Sequence, residues 1–131
     1  MNQSGPARRE GFLDAGGIVA LLRDPDGFDP ALVRDLHPGA LRTRLIDLGP
    51  GDISPELLSR DATSGFVLDL DPPDWRSEWG GLLLLRGDGD RLHGYRPVPG
   101  ALTLITAAER PLISQVAPQG GRRISILGWW N

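Results

Sequence analysis

The chain has 131 residues, 40% of them hydrophobic and 24% charged, with a net charge of −3; that suits a single globular domain with an ordinary core. It has no cysteine, which excludes disulfides, thiolate metal sites and a cysteine nucleophile together. All 14 basic residues are arginine, so Schiff-base chemistry and a lysine base are excluded as well.

The arginines are scattered and the balance is acidic, so no nucleic-acid partner is expected. No apolar run approaches the roughly 20 residues of a membrane span, and "MNQSGPARREGF" lacks a signal-peptide core. No membrane partner is expected, and a cysteine-free chain suits a reducing cytoplasm.

Residues 1–11 are polar and read as a loose tail. Residues 12–40 carry two short helical patterns that must lie on something else to persist. The first runs from about Ile18 to Arg23 and is stopped by Pro25 and Gly27. The second has Asp29 as its cap and Pro30 at its first position, and ends at Pro38-Gly39.

From Leu41 the pattern becomes strand-like through residue 131. Seven runs follow: "LRTRLIDLG", "SGFVLDLD", "WGGLLLLRG", "RLHGYRPV", "ALTLITA", "PLISQVAP" and "RRISILGWW". Gly, Pro and Asp turns separate them, which argues for a barrel or sandwich. Asp88-Gly89 is a strong hairpin signal, and "LDPPDW" is a rigid turn. The expected fold is thus mainly β, a jelly-roll or cupin-like barrel of residues 41–131 with two short N-terminal helices, all in one domain.

Within the last run, Arg123 and Ser125 share one strand face while Ile124 and Ile126 take the other. Arg122 adjoins Arg123, so one of the two points outward. A guanidinium facing inward would match a carboxylate fork to fork. Tyr95 alternates with His93 and is placed at the cavity or in packing beside it. Asp69, Asp71, Asp74 and Glu78 crowd around the Pro-Pro turn and read as a solvated acidic rim rather than a calcium loop. His37 is placed at a helix end, capping carbonyls or meeting solvent, and His93 on the surface. Trp75, Trp79 and Trp129 read as core anchors, and Trp130 as exposed or part of an association surface.

Three stretches carry a resemblance. "PPDWRSEWGGLLLL" resembles the Trp-containing turn and Gly-Gly strand of prolyl-4-hydroxylase-like Fe(II)/2-oxoglutarate oxygenases. "RPVPGALTLI" is similar to the strand and turn that follow there. "LISQVAPQGGRRISILGWW" is similar to the final two strands, with Trp129 six residues after Arg123. The resemblance covers residues 66–131 and implies a double-stranded β-helix. It also implies that Arg123 grips the far carboxylate of 2-oxoglutarate, with Ser125 adding a hydrogen bond.

The same resemblance breaks at the metal. The family holds iron on His-x-Asp and a distal His. Pro111 or Ser114 stands at the distal position, and neither replaces an imidazole. Asp52, Glu56 and Asp61 occupy the proximal window, preceded two residues earlier by Pro50, Ser54 and Ser59. No cofactor is therefore expected. The leading expectation is a degenerate oxygenase-fold protein that binds an anionic small molecule, 2-oxoglutarate or a similar carboxylate, through Arg123, Ser125 and Tyr95. It would act as a pseudoenzyme or a metal-independent enzyme. One alternative is an active Fe(II)/2-oxoglutarate hydroxylase with non-standard ligands drawn from Asp52, Glu56 and His93. A second is a structural subunit: the short N-terminal support suits a homodimer or another protein partner.

Overall fold

The computed structural model describes residues 7–37, 39–54, 57–58, 62–87 and 89–130. Asp14 caps the only α-helix among them, α1 (Ala15–Arg23), by accepting from the Gly17 amide at 2.8 Å. That cap starts the helix three residues ahead of the expected Ile18. The chain leaves α1 at Asp24, before Pro25.

The second expected helix is a correction. Asp29 does cap Ala31 and Pro30 does lead, but Pro30–Val33 closes as a 3-10 turn. Its bonds reach only three residues back, as from Leu32 to Asp29 and from Leu36 to Val33. The segment has one buried apolar side chain, Val33, so nothing rewards a longer helix.

The strands are β1 (Arg8–Arg9), β2 (Leu41–Leu48), β3 (Ser64–Asp71), β4 (Leu83–Arg86), β5 (Leu92–Tyr95), β6 (Leu102–Thr106), β7 (Leu112–Ile113) and β8 (Arg123–Trp130). All seven runs from Leu41 onward are present. Arg8–Arg9, assigned to a loose tail by sequence, instead pair with Thr103 and Leu102 of β6. The strands form a five-stranded sheet in the order β1-β6-β3-β8-β2 and a three-stranded sheet in the order β5-β4-β7. Every named pairing is antiparallel. The protein is thus mainly β, with one α-helix among the described residues. β4 and β5 form the hairpin expected from Asp88-Gly89; Asp88 itself lies outside the described residues.

The centre of the five-stranded sheet is buried on both faces, and for that reason β3 and β8 are almost wholly out of water. One face packs Ile46, Leu48, Val67, Ile105 and Leu127 against Leu83, Leu85, Ile113, Val116 and Trp75 from the other sheet and its loops. The opposite face packs Phe66, Leu68, Leu102, Ile126 and Trp130 under Leu21, Phe28 and Val33. Trp130, expected at the surface, is 2% exposed, and its ring stacks on His37 at 5.0 Å. Its even-numbered position on β8 points it to the helix side, where the core claims it. Arg42 and Arg44 stand exposed on β2, the free edge of the large sheet, where charge discourages further pairing.

Candidate functional site

The strand period brings Arg123, Ser125, Leu127 and Trp129 to the face between the sheets. Leu127 and Trp129 meet the apolar core there, while Arg123 and Ser125 lie at its end. The register sets Ser125 beside Asp69 on β3, and Arg8 beside Thr103 on β6. Four strands therefore deliver polar side chains to one place.

Asp69 is the centre of this cluster. Its Oδ1 accepts from Arg123 Nη2 at 2.9 Å and from Ser125 Oγ at 3.0 Å. Its Oδ2 accepts from the Val98 amide at 3.2 Å and lies 3.7 Å from Arg8 Nη2. Asp69 is 1% exposed and Arg123 is 0% exposed. Asp69 is therefore not part of a solvated rim; of the four acids, Asp74 and Glu78 are exposed and Asp71 is half-buried. Burial pulls the Arg123 pKa down, the Asp69 carboxylate raises it, and the Arg8 charge lowers it further. Arg122 takes the outward position and pairs with Asp47 at 2.7 Å.

Arg8 closes the cluster from outside. Its Nη1 donates to Thr103 Oγ1 at 2.6 Å and its Nη2 to the Arg96 carbonyl at 3.1 Å. Its Cζ lies 4.8 Å above the Tyr95 ring. Arg8 and Tyr95 line a cleft of about 1010 Å³, whose other walls include Arg96, Glu10, Asp74 and Trp75. Arg123 and Ser125 do not line it. The structure thus brings Tyr95 to the cleft and sets the other two behind the Asp69 carboxylate.

The glycines of "EWGG" shape this corner. Gly80 has φ +67°, and a Cβ on it would overlap the Gln115 carbonyl oxygen. Its own carbonyl accepts from Trp75 Nε1 at 2.8 Å. A Cβ at Gly81 would lie 3.0 Å from the Trp75 ring and 3.7 Å from Arg123 Cδ. A side chain at Gly81 would therefore crowd both the indole and the arginine stem.

Two charged members of the cluster, Asp69 and Arg8, escaped the sequence reading of this site. Asp69 carried a signal: an acid set among Val67, Leu68 and Leu70 on a strand buried on both sides needs a buried partner. Arg8 carried none, because two residues of edge strand have no period to read.

The comparisons agree with this architecture. The chain superimposes on a prolyl-4-hydroxylase from Pseudomonas putida with TM-score 0.76 and 23% identity, over 98% of this chain and 88% of that one. The chain shares the prolyl-4-hydroxylase fold. It also matches an oxidoreductase of the 2OG-Fe(II) oxygenase family from Burkholderia pseudomallei (TM-score 0.59, 15% identity, 96% of this chain). A third match is a Trichoplax adhaerens prolyl hydroxylase in complex with a hypoxia inducible factor oxygen degradation domain peptide fragment (TM-score 0.61, 19% identity, 96% of this chain). The chain spans 65% and 62% of those two proteins. No family model matches the sequence, nor does any curated protein.

The iron and 2-oxoglutarate of that fold do not fit the described residues. No three His, Asp or Glu side chains converge among them. The Asp52 carboxylate is taken up within a turn, accepting from the Gly49 amide at 2.8 Å. Ser114 at the distal position accepts from the Leu82 amide. His93, expected on the surface, is half-buried and its Nε2 has no partner. Glu56 and Asp61 lie outside the described residues. At the carboxylate end, Arg123 and Ser125 already hold Asp69.

Proposed function

We propose that this chain is a double-stranded β-helix that works without iron, as a binding protein for an anionic small molecule in the cleft beside Arg8 and Tyr95. The Arg8–Asp69–Arg123 arrangement carries this reading: two guanidinium groups share one carboxylate, and the outer one lines the cleft. One positive charge is left over in a site largely shielded from water, and a ligand carboxylate or phosphate would balance it. Arg123 and Ser125 serve by holding Asp69, which in turn ties down the cleft wall through the Val98 amide. Glu10, Asp74 and Glu78 match Arg8, Arg76 and Arg96 in number around the lining. Selection is then local, by one guanidinium, rather than by a long-range field.

Thermal unfolding in the presence of succinate, 2-oxoglutarate and inorganic phosphate tests it. At least one of these raises the melting temperature of the wild type and fails to do so for Arg8→Ala. No response to any anion would leave the structural-subunit reading. Anaerobic Fe(II) titration addresses the hydroxylase reading. Stoichiometric iron with turnover of 2-oxoglutarate to succinate would overturn the proposal.

A further inference from the structure

We propose that Arg123 and Ser125 form a carboxylate-binding site that the chain fills with its own Asp69, which keeps free carboxylate ligands off this guanidinium. The inference concerns the inner arginine and stands whether or not the outer cleft at Arg8 takes a ligand.

Two donors from one strand, Arg123 Nη2 and Ser125 Oγ, converge on the same oxygen, Asp69 Oδ1. Convergent donors in a water-excluded setting are what a carboxylate site requires. Here the carboxylate comes from the neighbouring strand, fixed by the Asp69–Ser125 register. A carboxylate tethered this way has an effective concentration that a free ligand does not match. Asp69 does not use the full capacity of the guanidinium. Arg123 Nε and Nη1 are buried with no partner, so the group is larger than its resident. Arg123 and the nearby Trp75 are both withdrawn from water, at 0% and 2% exposed.

Removing the resident should therefore open a site rather than merely weaken a contact. Formate is the probe, because it fits the space an Asp69→Ala substitution vacates. Calorimetric titration should show Asp69→Ala binding formate at least about tenfold more tightly than the wild type. The gain should vanish in Asp69→Ala/Arg123→Gln. Asp69→Asn strands the Arg123 charge as Asp69→Ala does but keeps the space filled, so it should show no gain. Equal formate affinity in wild type and Asp69→Ala overturns the proposal, as does a gain that persists in the double variant. So does an Asp69→Asn variant that responds as strongly as Asp69→Ala. If Asp69→Ala is unfolded alone, recovery of its near-ultraviolet circular dichroism on adding formate is the supporting result. Continued unfolding in formate counts against it.

Discussion

Arg123 and Asp69 stand 54 residues apart in sequence and 2.9 Å apart in space, both withdrawn from water. A pair like this is asymmetric in its energetics. Breaking it strands a buried charge, whereas replacing both members with apolar side chains removes two desolvation costs along with one attraction. Arg123→Met alone should lower stability by about 3–5 kcal/mol. Arg123→Met with Asp69→Leu should recover most of that loss. Urea unfolding measures both, and strictly additive costs would show that the pair is not coupled.

What the sequence disclosed follows from which signals are local. The seven strand runs rest on apolar stretches cut by Gly, Pro and Asp turns, and the opposed Arg122 and Arg123 on a two-residue period; all appear in the structure. The partner of Arg123 was not legible in the same way, because pairing depends on register across strands. Asp69 resembled its neighbours Asp71 and Asp74 in composition, and only its place in a doubly buried strand separated it from them. The Pro30 segment misled for a different reason. Its cap and proline are genuine helix-start devices, but start signals do not say how far a helix runs. Trp130 misled because closeness to the chain end was read as exposure, whereas strand parity pointed it at the core.

Gly80 should be the least replaceable glycine of "EWGG". Its φ of +67° and the overlap of any Cβ with the Gln115 carbonyl act together. Gly80→Ala should cost about 1–3 kcal/mol and weaken the near-ultraviolet signal of the Trp75–Trp79 edge contact, whose rings lie 5.3 Å apart. Gly89→Ala is the control. It has a similar φ of +66° but nothing within 4 Å, so its cost should be smaller and its aromatic signal unchanged. Equal effects at the two positions would mean that backbone strain alone matters.

Trp130 fills the helix-side core between His37 and Phe66, with ring centroids 5.0 and 5.7 Å away. Trp130→Ala should cost about 3–5 kcal/mol, since strand backbone on one side and packed rings on the other cannot collapse into the gap. Trp130→Phe should retain most of the stability. Guanidinium unfolding followed by far-ultraviolet circular dichroism gives the comparison. A loss under about 1 kcal/mol for the alanine variant would place this side chain outside the core.

β1 has only two residues, too few to hold itself on the sheet by backbone pairing. Its fastening is the Arg8 side chain, which reaches Thr103, the Arg96 carbonyl, Asp69 and the Tyr95 ring at once. The Leu104 amide donates to the Ala7 carbonyl at 2.9 Å, so its exchange with solvent reports whether β1 is docked. In Arg8→Ala the Leu104 amide should lose protection while the amides that β6 and β3 share keep theirs. Overall stability should fall by only about 1 kcal/mol, because β1 lies at the sheet edge. Tyr95→Leu removes the cation–π contact alone, worth about 0.5–2 kcal/mol, and should give an intermediate Leu104 rate. Hydrogen exchange read residue by residue decides it. Unchanged Leu104 protection in Arg8→Ala would show that backbone pairing alone holds β1.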